Sequence, residues 1–243
     1  MRSYKALSKN LLRFDLRDWS TLIFTFIFPA ALLIVLVQTM GDTVPGVDLT
    51  GDISANVIAF GAAFVGIYAG ATHLALWREN GMFKVLRNFP LSSNTVLAAQ
   101  ASAGTLLLIG QALLLFVIAL IMGMSPAATA LLAIIPTIFG YLLFFFIGIL
   151  LGIVVPSMAG VSMAATVLII PLGIVGGAMM PIEMLPEWMQ TIAPYTPIYH
   201  MREAISMTLI DVGTWKNFGI GLAYLVGVGA VLGLLSQRFM KFK

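Results

Sequence analysis

The chain contains no cysteine, so disulfides, thiolate nucleophiles and thiolate metal sites are excluded. Charge is also scarce, with 9% of its 243 residues being Asp, Glu, Lys or Arg, against about 25% in an average soluble domain. With 60% hydrophobic residues, too few polar groups remain to cover a water-facing surface. A soluble enzyme is thereby excluded, as is a peripheral protein held by one anchor. No G-x-x-x-x-G-K-[ST] occurs, and none of Lys5, Lys9, Lys84, Lys216, Lys241 and Lys243 follows a glycine. The chain cannot cradle ATP phosphates by that route. Nor is there an H-E-x-x-H pair or a G-x-S-x-G elbow. No short apolar core precedes a small-residue cleavage site near the start, so a cleavable leader is not expected.

Long uncharged runs take the place of these features. They cover residues 21–40, 53–77, 88–182 and 217–237, and a spanning helix needs about 20 apolar residues. The third run is too long for two helices. Gly123-Met124-Ser125-Pro126 and Pro156-Ser157 divide it, so spans are predicted near 21–40, 53–77, 96–122, 127–155, 158–180 and 217–237. The expected fold is an all-α polytopic membrane protein, a single permease-type domain over 1–243. Its spans hold no Asp, Glu, Lys or Arg, which argues against a carrier coupled to protons or sodium.

Six spans put both termini on one side. If that side is cytoplasmic, 11 of the 13 Lys and Arg lie inside, and Asp42, Asp48, Asp52, Glu183, Glu187, Glu203 and Asp211 lie outside. Only Arg202 and Lys216 break the positive-inside bias. The net charge of +3 thus reports topology, and no nucleic-acid partner is expected. His73 near the inner end of the second span reads as interfacial. His200 lies outside, so the two histidines form no metal pair. Gln100 and Gln111 in the third span are placed to hydrogen-bond between helices.

Three segments are structured without spanning. Arg2, Lys5, Lys9, Arg13 and Arg17 fall within one helical arc, with Tyr4, Leu7, Leu11 and Phe14 opposite, which predicts an amphipathic helix along the inner leaflet. In the loop 78–94, Gly81 ends one helix and Pro90 stops the next. Between them Met82, Phe83, Leu86 and Phe89 recur at helical spacing, an apolar stripe suited to a groove on a cytoplasmic partner or to the membrane surface. In 181–213, Leu185, Trp188, Met189 and Ile192 form one stripe, with Pro186 in a first turn. Ile198, Met201, Ile205 and Leu209 form a second. These predict two short external helices. The G-x-x-x-G pairs Gly66/Gly70, Gly148/Gly152, Gly173/Gly177 and Gly229/Gly233 permit close helix approach, and Pro29, Pro136 and Pro171 inside spans predict kinks.

The loop Arg78-Glu79-Asn80-Gly81, Leu86-Arg87 and Pro90-Leu91-Ser92 resembles the R-E-x-G … L-R-x-x-P-L-S loop of type-2 ATP-binding-cassette export permeases. Met180-Pro181, Leu185-Pro186-Glu187-Trp188, Ile192-Ala193 and Pro197-Ile198-Tyr199 resemble that family's segment before the last span, continuing to Arg202-Glu203-Ala204-Ile205. One departure is Thr196-Pro197, where many relatives carry Asn-Pro.

The resemblance implies a dimer of six-span subunits, identical or different, working with separate cytoplasmic ATPase subunits that bind the ATP and magnesium. This chain itself would bind no cofactor or metal and would not be an enzyme. It implies that 81–91 holds a coupling helix, with Phe83, Leu86 and Phe89 as apolar anchors and Arg78, Glu79 and Arg87 fixing orientation, flanked by Gly81, Pro90 and Leu91. Pro181, Leu185, Pro186, Trp188, Ile192, Pro197 and Tyr199 would form an external cap or gate. The expected activity is export of a hydrophobic or amphipathic substrate, a drug or lipid, across a bacterial plasma membrane. A polysaccharide cargo, or a non-transporting scaffold or sensor using the same loop, stays open at this point.

Overall fold

The computed structural model describes residues 2–41, 49–82, 92–179 and 182–239. Among these there is no strand, and six helices are long and apolar enough to cross a membrane. The chain begins with α1 (Arg2–Asp15) and α2 (Trp19–Leu22). A π-turn (Ile23–Ile27) leads into α3 (Phe28–Met40), and these two pieces form the first span. The next spans are α4 (Thr50–Glu79), α5 (Ser93–Ile121), α6 (Ile134–Val154, entered through a 3-10 turn at Ala130–Ala133) and α7 (Met158–Val175). Two helices that do not span follow, α8 (Glu187–Ile192) and α9 (Pro197–Ile210), and α10 (Trp215–Phe239) is the sixth span. The span limits agree with the uncharged runs to within a turn or so, because in a membrane protein the charges mark where helices leave the apolar layer.

The helix α4 is the axis of the molecule. It is buried along nearly its whole length, while α3, α7 and α10 are mostly outward-facing. Glycine makes this possible. A Cβ on Gly70 would overlap the Phe145 carbonyl oxygen, and one on Gly148 would overlap that of Ile67. Gly66 and Gly152 face the carbonyls of Tyr141 and Ala71 in the same manner. Two of the predicted G-x-x-x-G pairs thus interlock, bringing the α4 and α6 backbones into direct contact where no hydrophobic effect drives association. The 173/177 pair behaves differently. Gly173 sits against the Phe60 ring, whereas Gly177 lies beyond the end of α7 at φ +77°, a turn position rather than a packing face.

The prolines divide in the same way. Pro171 lies inside α7, but Pro136 occupies the first turn of α6, where a missing N–H leaves no gap. Pro29 sits in the first turn of α3, directly after the π-turn, so the irregularity of this span falls just before the proline.

The helix α1 packs its inner face on α5. Leu11 is buried, Tyr4 and Leu7 are half-buried, and the Tyr4 and Ser102 hydroxyls are 2.5 Å apart. Lys5, Lys9 and Arg13 are exposed, as is Arg17 beyond it; the side chain of Arg2 lies outside the described residues. The predicted amphipathic helix is present, with its apolar face covered by protein rather than by lipid alone. Phe14 is exposed, yet its ring meets His73 edge-on at 5.6 Å.

At the opposite end, the second apolar stripe is fully buried through Ile198, Met201, Ile205 and Leu209. The first is not. Leu185 is buried, but Trp188 and Ile192 face outward from a helix of six residues, too short to bury a full face. The α9 helix is capped by Thr196, whose hydroxyl accepts from the Tyr199 N–H at 3.4 Å. Threonine is thus doing what asparagine does at an N-cap, so the Thr196-Pro197 departure leaves the local geometry intact. The Ala127 N–H donates to the Leu209 carbonyl at 2.8 Å, fastening α9 to the turn before α6.

Candidate functional site

At the end bearing α1, the last residues of α4 hold together the end of α6 and the start of α7. The Arg78 guanidinium donates to the carbonyls of Ile153 (2.6 Å) and Val155 (3.3 Å), at the C-terminal end of α6. The neighbouring Glu79 carboxylate accepts the backbone N–H of Met158 at 2.8 Å, at the first turn of α7. A helix leaves carbonyls unsatisfied at its C-terminus and amides unsatisfied at its N-terminus, and its dipole favours a cation at the first and an anion at the second. Adjacent Arg and Glu meet both needs across one tight turn, where Ser157 also caps α7 through the Gly160 N–H at 3.1 Å. Arg78 and Glu79, predicted to orient a partner-binding loop, here clamp α4 to the α6–α7 turn. Gly81 follows at φ +66°, a conformation that suits glycine, with open space around it. Phe83, Leu86, Arg87, Phe89, Pro90, Leu91 and Pro181 lie outside the described residues.

Directly above this clamp lies a cavity of about 440 Å³ between the first span, α4 and α7. Its aromatic wall is a stack: Phe24 on Phe64 (6.1 Å between centroids, 14° between planes) and Phe64 on Tyr68 (5.1 Å, 10°). Hydroxyls interrupt the apolar surface, and two of them are answered within their own helices. Thr72 donates to the Tyr68 carbonyl at 2.8 Å and Thr166 to that of Ser162 at 2.8 Å. At the mouth, Asp18 caps α2 by accepting from the Thr21 amide (3.1 Å) and hydroxyl (2.7 Å). The wall formed by Phe24 and Thr25 belongs to the π-turn. Gln111 of α5 donates to the Thr25 carbonyl at 2.6 Å, the interhelical bond expected of it, whereas the buried Gln100 amide makes no such bond among the described residues. A π-turn shifts carbonyls off the regular ladder, and an amide from the next helix meets this one.

His73 departs from expectation. It is not interfacial: α1 and the turn after it cover it, leaving 3% of its surface exposed, with Nε2 at 3.0 Å from the Asp15 carboxylate. The approach is close but lacks the alignment of a hydrogen bond. Two buried polar groups set against each other are costly to separate within an apolar interior, so the contact helps fix where α1 sits against α4. No run of residues signals it, since Asp15 and His73 are brought together only by the fold.

At the far end, Tyr199 lies beneath the Arg202 guanidinium at 5.7 Å, and Arg202 pairs with Glu203 at 2.6 Å. Pro197 opens α9, and Pro186 is the N-cap of α8 rather than part of its first turn. No group of three or more His, Asp or Glu is arranged to hold a metal among the described residues.

The fold and these surfaces define a multi-pass helical membrane protein built around one buried span. A family model described as "ABC-2 type transporter" matches residues 2–210, and the chain belongs to that family. It is also similar to the Bacillus subtilis (strain 168) protein named "Putative transport permease YvfS", with 34% identity over 110 residues. That match spans 44% of this chain and 41% of the relative, so the chain covers about two fifths of that protein's length.

Proposed function

We propose that this chain is the membrane-spanning subunit of an ATP-driven exporter in a bacterial plasma membrane, with both termini cytoplasmic and ATP hydrolysed on a separate subunit. Two copies, or two related subunits, form the working unit, and the cargo is a hydrophobic or amphipathic small molecule. The observation that carries this reading is the layout of α4. Its last turn grips the α6–α7 turn through Arg78 and Glu79. About two to four turns further in, Thr72, Tyr68 and Phe64 line the aromatic cavity. Because α4 contacts α6 backbone to backbone, a displacement applied beyond Gly81 moves a cavity wall rather than being absorbed by side chains. The loop after Gly81, with Phe83, Leu86 and Phe89 as apolar anchors and Arg87, Pro90 and Leu91 beside them, is the place where an ATPase subunit applies that displacement. The exposed Lys5, Lys9, Arg13 and Arg17 hold the same end against anionic head groups, and 181–213 forms the outer cap.

Phe83→Asp and Leu86→Asp test this reading. Each is expected to release the ATPase subunits from the purified complex and to abolish ATP-dependent uptake of a fluorescent amphiphile into inside-out vesicles, with membrane insertion unchanged. Retention of the ATPase with stimulated hydrolysis in both variants would overturn the coupling assignment.

A further inference from the structure

A second cavity, of about 310 Å³, lies at the end of the molecule away from α1, between the start of α4, α9 and the turn after it. Its polar lining is unlike that of the first cavity. Asn56 and Ser206 are 7% and 4% exposed, and among the described residues neither the Asn56 Oδ1 nor the Ser206 Oγ has a hydrogen-bond partner. The Nε of Arg202, which also lines the cavity, is buried and likewise without a partner among the described residues, although its terminal nitrogen holds Glu203 at 2.6 Å. A buried polar atom left unsatisfied carries its full desolvation cost, and three around one space are not explained by packing. Arg202 is also one of two basic residues that defy the charge bias of the chain.

We propose that this cavity is a binding site for the hydroxyl-bearing head group of an amphiphile passing outward. The three orphan atoms specify the chemistry. Asn56 Oδ1 only accepts, Arg202 Nε only donates, and Ser206 does either. A hydroxyl both donates and accepts, so it satisfies the first two at once. A carboxylate has no proton for Asn56 and meets Asp52 and Glu203 in the lining. A quaternary ammonium can neither donate nor accept. Leu49 and Ile53 supply an apolar wall for the start of a tail. Naming the occupant as cargo rests on the transport reading above. The binding itself does not, and it is measured without any ATPase.

The experiment uses the full chain in phosphatidylcholine nanodiscs with three probes of equal tail: radiolabelled 1-decanoylglycerol, decanoate and decyltrimethylammonium. Saturable binding is expected for the glycerol ester alone. Asn56→Leu and Ser206→Ala should each weaken it about tenfold, the loss of roughly one buried hydrogen bond. Asn56→Leu also removes an unsatisfied acceptor, so its thermal unfolding should not move down. Ser206→Ala carries the test if the larger substitution disturbs folding. Equal binding of all three probes, or variants that bind like the parent, would show that the orphan polar atoms select nothing and overturn the proposal. Discs containing diacylglycerol form a further arm. Competition by that lipid with the soluble probe would mark a resident lipid site and overturn the assignment to cargo.

Discussion

The two cavities share a wall in α4 and differ in how their polar groups are answered. In the aromatic cavity Thr72 and Thr166 bond back to carbonyls of their own helices and Thr21 bonds to Asp18, so these hydroxyls make little further directional demand. In the polar cavity Asn56, Ser206 and Arg202 carry atoms with no hydrogen-bond partner among the described residues. A surface of the first kind takes molecules by shape and apolar area; one of the second kind selects by hydrogen bonding, because only a matching group removes the desolvation cost. An amphiphile entering beside Phe24 and Tyr68 and leaving past Asn56 would meet a permissive chamber first and a selective one afterwards.

The severest way to break this contrast is to destroy the wall both chambers share. Gly148→Leu would push a side chain into the Ile67 backbone, which no rotamer change relieves. A loss of more than about 3 kcal/mol is expected, enough to remove the folded protein from detergent extracts. Gly219→Leu, in α10 with open space around it, is the control and should be near neutral. Equal yields of the two variants would show that the α4–α6 contact does not organise the fold.

Arg78→Ala separates the two ends. It strips the donor from the Ile153 and Val155 carbonyls, and hydrogen bonds to a charged group are worth about 1.5–3 kcal/mol. Amide exchange should quicken in the first turn of α7, while the α9 amides beside the polar cavity keep their protection. Arg78→Lys should restore only part of the loss, since an ammonium does not reproduce the planar fork that reaches both carbonyls. Exchange that rises equally at both ends would mean that the clamp holds the whole bundle rather than one face.

How much of this was legible in the sequence follows from the range of each interaction. The spans were readable because lipid demands uncharged runs of fixed length, and the Ile198–Leu209 stripe because a buried helix face repeats locally. The α4–α6 glycines were readable as pairs on each helix, though not as partners of one another. Resemblance singled out Arg78 and Glu79, but what they bind lies some 75 to 79 residues away in a turn with no charge of its own. His73 reads as interfacial until α1 folds over it. The orphan atoms of the polar cavity are further removed still, because an unsatisfied group is defined by what the surrounding fold fails to supply.

The smallest effect concerns pH and falls on the selective end alone. His200, on α9, stacks on Tyr224 of α10 at 4.2 Å between centroids, with Tyr199 at its edge and Glu203 nearby on the same helix. The Tyr224 hydroxyl is tied to the Tyr195 carbonyl at 2.8 Å. Burial lowers the imidazole pKa below 6.5, with the Pro194 carbonyl and the Glu203 charge opposing that shift. The unfolded chain therefore binds the proton more readily than the folded one. Stability carried by His200 is complete above about pH 6.5, falls as the pH drops towards the lowered folded value, and is flat below it. Because the ring is half open to solvent, the slope should be shallow. Acidification from pH 7.5 to 5 should loosen α9, which carries Arg202 and Ser206, while the aromatic stack of Phe24, Phe64 and Tyr68 is untouched. His200→Phe keeps the ring stack and loses the proton, so amide exchange in α9 should become independent of pH across that window, after correction for the intrinsic exchange rate. An undiminished pH slope in the variant would move the effect to another group, and a matching slope at the aromatic cavity would erase the distinction between the two chambers.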